Sequence, residues 1–250
     1  MSASNFIFPW TGRKKKFEND IAFKHINLDD ISTIVEPFSG SMSFSQYLYM
    51  IKDNTDLHYV YNDYDTNMYN FIKYIHDEGL DGLKALCEIS NKHEPKRDKS
   101  VRNEVKSVQD FFNAKARGED SAFLKKVNKN AEQYEKHVEF IQQLDKITNK
   151  NYKDIFDKYI NRSDVLLYLD PPYFKSYNSD YMTQNDETID MTKILVDIVD
   201  LFKNAKCHII YVHNKNALMD YLFSDFPAVE EYVKTYQTTK KKCIHQVRAK

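Results

Sequence analysis

Residues 165–173 read Val-Leu-Leu-Tyr-Leu-Asp-Pro-Pro-Tyr, and no other stretch constrains the fold so tightly. Val165 to Leu169 is an apolar run of the right length for a fully buried strand. It ends at Asp170. Pro171 holds Asp170 extended, because the helical region is disfavoured for a residue before proline. Neither Pro171 nor Pro172 has an N–H. The strand end therefore offers a carboxylate and free carbonyl oxygens close together, with few donors and with the ring of Tyr173 just beyond. Such a site suits an amino group on a flat ring. Asp170 and the Pro171 carbonyl can take its two hydrogens, and Tyr173 can stack on its face. Asp-Pro-Pro also reads as a stiff turn after a strand, so the rest of the chain has to decide between the two.

Glycine is scarce. The chain has five, where average usage would give roughly 17 in a chain of this length. Each is thus expected where the backbone requires one. Gly40 falls in Pro37 to Ser43, a tight loop of small residues between an apolar run (Ile31 to Val35) and a serine-capped helix start at Ser43 to Ile51. Strand, glycine loop and helix is the nucleotide-binding arrangement of Rossmann-like sheets, with backbone N–H groups aimed at the ligand. Residues 57–63 give a second strand with an acid at its carboxyl end, about 20 residues after the loop, the spacing of a ribose-binding acid. Asp63 is the expected ribose partner, with Asn62 beside it. Met68, Phe71, Ile72 and Ile75 then share one helical face, which is read as core. Gly12 lies in an aromatic and basic N-terminal stretch with Trp10, the single tryptophan.

The middle of the chain, residues 79–160, shows helical spacing and no strand pattern. It is read as a helical insert in a catalytic unit made of residues 1–78 and 161–250. Residues 91–136 carry 12 Lys or Arg against 8 Asp or Glu, a modest basic excess. The whole chain has a net charge of −1, so there is no global nucleic-acid signal, although the run Arg13 to Lys16 and the basic C-terminus suggest a polarised surface. After Tyr173 come a polar loop, an amphipathic helix over about 189–202, a buried strand at Cys207 to Val212 capped by His213 and Asn214, and two alternating strands near 229–235 and 243–247. There is no apolar run of 18 residues, which argues against a membrane span. Three widely spaced cysteines suggest reduced thiols in a cytoplasmic setting, without a disulfide framework or a zinc site.

The Asp170-Pro171-Pro172-Tyr173 motif resembles the catalytic motif of amino-methyltransferases that use S-adenosylmethionine. With its companions it resembles the Dam-like family of DNA adenine-N6 methyltransferases. Trp10-Thr11-Gly12-Arg13-Lys14 is similar to that family's N-terminal Trp-x-Gly-Gly-Lys motif. Glu36-Pro37-Phe38-Ser39-Gly40-Ser41 is similar to its cofactor loop, and Asn62-Asp63 with Asp65 and Asn67 to its ribose-binding stretch. The order of the motifs is also the family's.

The resemblance implies an α/β fold: a Rossmann-like sheet with helices on both faces and a helical insert. It implies S-adenosylmethionine as cofactor, S-adenosylhomocysteine as product, and no metal. It places Trp10, Lys14, Pro37, Phe38, Gly40, Ser41, Asp63 and Asp170 at the cofactor. Asp170, Pro171, Pro172 and Tyr173 fall at an adenine flipped out of DNA. Two positions depart from the family pattern: Met42 and Arg13 stand where it has glycines, adding side chains where the backbone should approach the cofactor. The expected partner is DNA, with a second subunit or a homodimer partner helping to choose the site. An RNA adenine methyltransferase, a catalytically silent cofactor-binding subunit and a protein-glutamine methyltransferase remain as rival readings.

Overall fold

The computed structural model describes residues 14–53, 56–92, 134–172, 190–235 and 242–250. In chain order the elements are α1 (Lys16–Phe23), β1 (Thr33–Glu36), α2 (Ser43–Ile51), β2 (His58–Asn62) and α3 (Thr66–Lys92). Then follow α4 (Glu135–Gln142), β3 (Lys146–Thr148), α5 (Tyr152–Tyr159), β4 (Val165–Leu169), α6 (Met191–Asn204), β5 (His208–Asn214), α7 (Ala217–Leu222), β6 (Glu230–Thr235) and β7 (Lys242–Ala249).

The strands form one sheet in the order β3-β2-β1-β4-β5-β7-β6. The first five are parallel, while β7 runs antiparallel between β5 and β6. In register, Val35 of β1 lies beside Leu167 of β4, and Leu169 lies beside Tyr211 of β5. β4 is thus the centre of the sheet, and all five of its residues are buried. Its side chains alternate between faces, as a strand's must. Leu166 and Tyr168 join the apolar cluster under α1 to α4, and Val165, Leu167 and Leu169 join the one under α5 to α7. Each fully buried leucine there contributes about 2 kcal/mol. The expected stripe of Met68, Phe71, Ile72 and Ile75 is wholly buried in the first cluster.

The strand order reverses between β1 and β4. In open α/β sheets the ligand crevice lies at the carboxyl ends of the strands at such a switch point. Both the Glu36 to Ser41 loop and Asp170 emerge there. Among the described residues, no helix is long and apolar enough to cross a membrane.

Residues 79–160 contain more than helices, which corrects the reading that they hold no strand. β3 pairs with β2, with Val60 beside Lys146 and Asn62 beside Thr148, and α5 covers the second cluster. α3 leaves helical geometry at Gly79 (φ 63°, ψ −148°). A Cβ there would meet the Gln142 amide at 2.8 Å, so glycine both makes the bend and lets α4 approach.

Candidate active site at the carboxyl ends of β1 and β4

The loop after β1 is held from both sides. The Ser39 hydroxyl donates to the Glu36 carbonyl (2.6 Å) and accepts from the Asn62 N–H (3.0 Å). The Asn62 side chain is saturated. Its Nδ2 donates to the carbonyls of Pro37 (2.9 Å) and Lys150 (3.0 Å), and its Oδ1 accepts from the Thr148 hydroxyl (2.8 Å) and the Lys150 N–H (2.9 Å). An amide of this kind has two donors and one oxygen with two lone pairs. Asn62 therefore has nothing left for a ribose, and its expected place beside Asp63 as a ligand gives way to a structural one.

Asp63 is half-buried at the end of β2. It accepts from the Gly40 N–H (2.8 Å) and the Asp65 N–H (2.9 Å). A carboxylate offers about four lone-pair sites, so this acid can fix the glycine turn and still face a hydroxyl. Gly40 (φ 48°) and Met42 (φ 51°) are both left-handed. Met42 thus keeps the conformation that a glycine would adopt without strain, and its side chain is 1% exposed within the apolar cluster under α1 to α4. The ring of Phe38 packs on α5, 5.2 Å from Tyr152 and 6.3 Å from Phe156 between centroids. The Ser41 carbonyl accepts from Gln46 Nε2 (2.7 Å), and Gln46 Oε1 meets His137 Nδ1 of α4 (2.8 Å). Burial pushes His137 down to about 4, so it is neutral at working pH and donates from Nδ1.

Asp170 and Lys14 meet at the crevice. The Lys14 ammonium is ion-paired with Asp170 Oδ2, with the lysine side chain 1% exposed and the aspartate 22%. The Lys14 backbone N–H donates to Ser43 Oγ (3.2 Å), at the start of α2. Lys14 thus lies against the start of α2 through its backbone and against Asp170 through its side chain. Glu36, at the end of β1, is 3% exposed. Its Oε1 accepts from the N–H (2.8 Å) and hydroxyl (2.6 Å) of Ser45. Its pKa is raised to about 7: burial is the main cause and Asp170 adds to it, while the Ser45 hydrogen bonds and Lys14 pull the other way.

The last two strands bring charges that the sequence reading left out. Lys234 of β6 is buried and pairs with Glu18 of α1 (2.9 Å). Burial and the neighbouring Lys14 pull it down, and Glu18 and Asp170 push it up. His245 of β7 is fully buried and stacks on Tyr232 at 5.3 Å. Burial, with Lys14 and Lys234 nearby, pulls it to about 3. Alternation could have found Lys234, since Tyr232 shares its face of β6 and is also buried. Trp10, Arg13 and Tyr173 lie outside the described residues.

A cleft of about 460 Å3, counting its open mouth, runs along the β5 side of Pro171 and Pro172.

A parallel sheet with this strand order, a glycine turn tied to an acid after β2, and a carboxylate with two prolines after β4 define a Rossmann-like methyltransferase. The sequence profile of the D12 class N6 adenine-specific DNA methyltransferases matches residues 10–116 and 112–239. The chain belongs to that family, and its activity class is S-adenosylmethionine-dependent, adenine-specific DNA methylation. Among curated proteins no match is found. Two solved structures of the rRNA methyltransferase aviRa from Streptomyces viridochromogenes are similar. One, at 11% identity and a TM-score of 0.44, covers 97% of this chain and 89% of that one. The other, at 12% and 0.47, covers 99% and 93%.

Proposed function

We propose that this chain transfers the methyl group of S-adenosylmethionine to the N6 amino group of an adenine flipped out of DNA, releasing S-adenosylhomocysteine. The observation that carries this reading is Asp170, partly exposed and ion-paired with Lys14 at the switch point, next to two prolines that donate nothing.

The cofactor fits the β1–β2 side. The left-handed turn at Gly40 and the half-buried Asp63 carboxylate are suited to a ligand with ribose hydroxyls. Pro37, Phe38 and Ser41 shape the loop, Phe38 by packing on α5 rather than by offering its ring. Trp10 belongs to the same side in this reading. S-adenosylmethionine, when bound, supplies an electrophilic methyl group on a sulfonium.

The chain's part is to prepare the nucleophile. Asp170 and the Pro171 carbonyl accept the two amino hydrogens, Pro172 keeps the turn rigid, and Tyr173 stacks on the base. Accepting both hydrogens draws the nitrogen toward a tetrahedral shape and frees its lone pair. Alignment supplies much of the rate. Acceptors placed where positive charge grows supply the rest. Lys14 holds the Asp170 carboxylate at the crevice through Oδ2.

DNA is the partner in this reading. The insert within 79–160 supplies mostly lysine, which suits phosphate contacts that position without specifying. Binding by the chain alone is therefore strongly salt-dependent. Choice of site is loose, or is supplied by a second subunit or a homodimer partner.

The test is methyl transfer from labelled S-adenosylmethionine to DNA and to RNA, followed by nucleoside digestion. Label in N6-methyldeoxyadenosine supports the reading. Label confined to RNA, or to cytosine, overturns it.

A further inference from the structure

The cleft beside Pro171 and Pro172 has apolar walls from Met191, Leu195 and Met219. The register that sets Leu169 beside Tyr211, carried on, sets Pro172 alongside Asn214, the last residue of β5. Asn214 lines the cleft.

Four buried side-chain oxygens among the described residues have no hydrogen-bond partner: Asn19 Oδ1, the hydroxyls of Tyr61 and Tyr168, and Asn214 Oδ1. Of these, Asn214 is the one that lines this cleft. A buried acceptor without a donor is costly, and in a native protein such a group calls for an explanation. Three other polar side chains of the cleft are engaged. His213 Nδ1 donates to the Asn214 carbonyl (3.0 Å) and its Nε2 accepts from Arg248 Nε (2.9 Å). Lys215 pairs with Glu231 (2.8 Å). Asn216 Oδ1 accepts from the Met219 N–H (3.0 Å) and caps α7. The buried side-chain atom of the cleft that lacks a partner is thus an acceptor, and what answers it must bring a donor.

We propose that Asn214 is a specificity-determining residue of the target-base pocket: its side-chain oxygen accepts from the exocyclic amino group of the base, sharing with the Pro171 carbonyl the hydrogen that faces β5. The inference rests on the reading of Asp170 given above and adds a function for β5. An amino base satisfies the orphan oxygen. A base with a carbonyl at that position sets two acceptors face to face and is rejected. A site built to hydrogen-bond one group discriminates far more sharply than an apolar slot.

Two variants separate the acceptor from the shape. Asn214→Leu keeps the size and removes the oxygen, while Asn214→Asp keeps an acceptor. Both are assayed for transfer to adenine-containing DNA and for S-adenosylmethionine affinity. Asn214→Leu should lose roughly 10- to 100-fold in kcat/KM with cofactor affinity within twofold, and Asn214→Asp should retain most of the activity. The proposal is overturned if Asn214→Leu stays within threefold of wild type, if cofactor affinity falls in parallel, or if Asn214→Asp falls as far as Asn214→Leu. A wild-type chain that methylates no adenine fails the underlying reading, and this inference with it. An active wild type with an indifferent Asn214→Leu fails this inference alone.

Discussion

The two sides of β4 are finished differently. On the β1–β2 side three polar side chains pin the loop from within the protein. Asn62 uses all its capacity, Ser39 bridges loop and strand, and Asp63 holds the Gly40 turn. On the β5 side an apolar cleft contains a buried oxygen without a hydrogen-bond partner among the described residues. The first side is pre-organised, so little ordering entropy remains to oppose binding there. In the proposal made above, the second is completed by a ligand that carries a donor. A methyltransferase gains from this division. In the proposed reading the methyl donor is held by a fixed loop, while the base is selected on arrival.

Breaking the finished side should give the largest stability effect. Asn62→Ala removes four hydrogen bonds from a fully buried position. It strands two carbonyls and an N–H, and is expected to cost about 3–5 kcal/mol, measured by denaturant unfolding. Loss of under 1 kcal/mol would mean that the loop is held elsewhere.

The next effect is set by pH. The folded pKa of Glu36 is raised to about 7 from an ordinary 4.5. Its contribution to stability is therefore fully present below about pH 4.5 and is lost as pH rises through about 7. Glu36→Gln keeps an acceptor for Ser45 and carries no charge. It should match wild type at pH 5 and exceed it by on the order of 2–3 kcal/mol at pH 8, read from melts across that range. A pH-independent difference would place the charge of Glu36 in a better-solvated setting.

The smallest effect sharpens the picture of the loop. Met42 combines a left-handed backbone with a buried side chain. Met42→Ala loses the packing and keeps the strain, whereas Met42→Gly loses the packing and relieves it. Glycine should therefore be the better replacement by about 1 kcal/mol, the reverse of the order within a helix. Alanine equal to or better than glycine would show that the turn relaxes.

The sequence made the catalytic strand legible because β4 is apolar throughout and two prolines end it. The loop after β1 was legible because a rare glycine sits among small residues. β3 was not. It has three residues, Lys146-Ile147-Thr148, at the sheet edge, too few to show a period. Lys14 was singled out only by the resemblance of its motif, because burial of one residue in a run of four basic ones depends on a carboxylate 156 residues away. Glu36 stood in plain view in the loop motif, but its protonation depends on packing that no local pattern records. Asn214 read as a strand cap, since an unanswered oxygen becomes visible only when its neighbours' partners are known.

The central claim is the division of labour across β4, and one paired measurement tests it. S-adenosylmethionine affinity by calorimetry and methyl transfer to DNA are compared for Asp63→Ala and Asp170→Ala. Asp63→Ala should weaken cofactor binding by roughly 5- to 150-fold. Asp170→Ala should bind cofactor within a few-fold of wild type and lose transfer altogether. Asp170→Ala turning over within tenfold of wild type would contradict the account, as would Asp63→Ala binding cofactor unchanged.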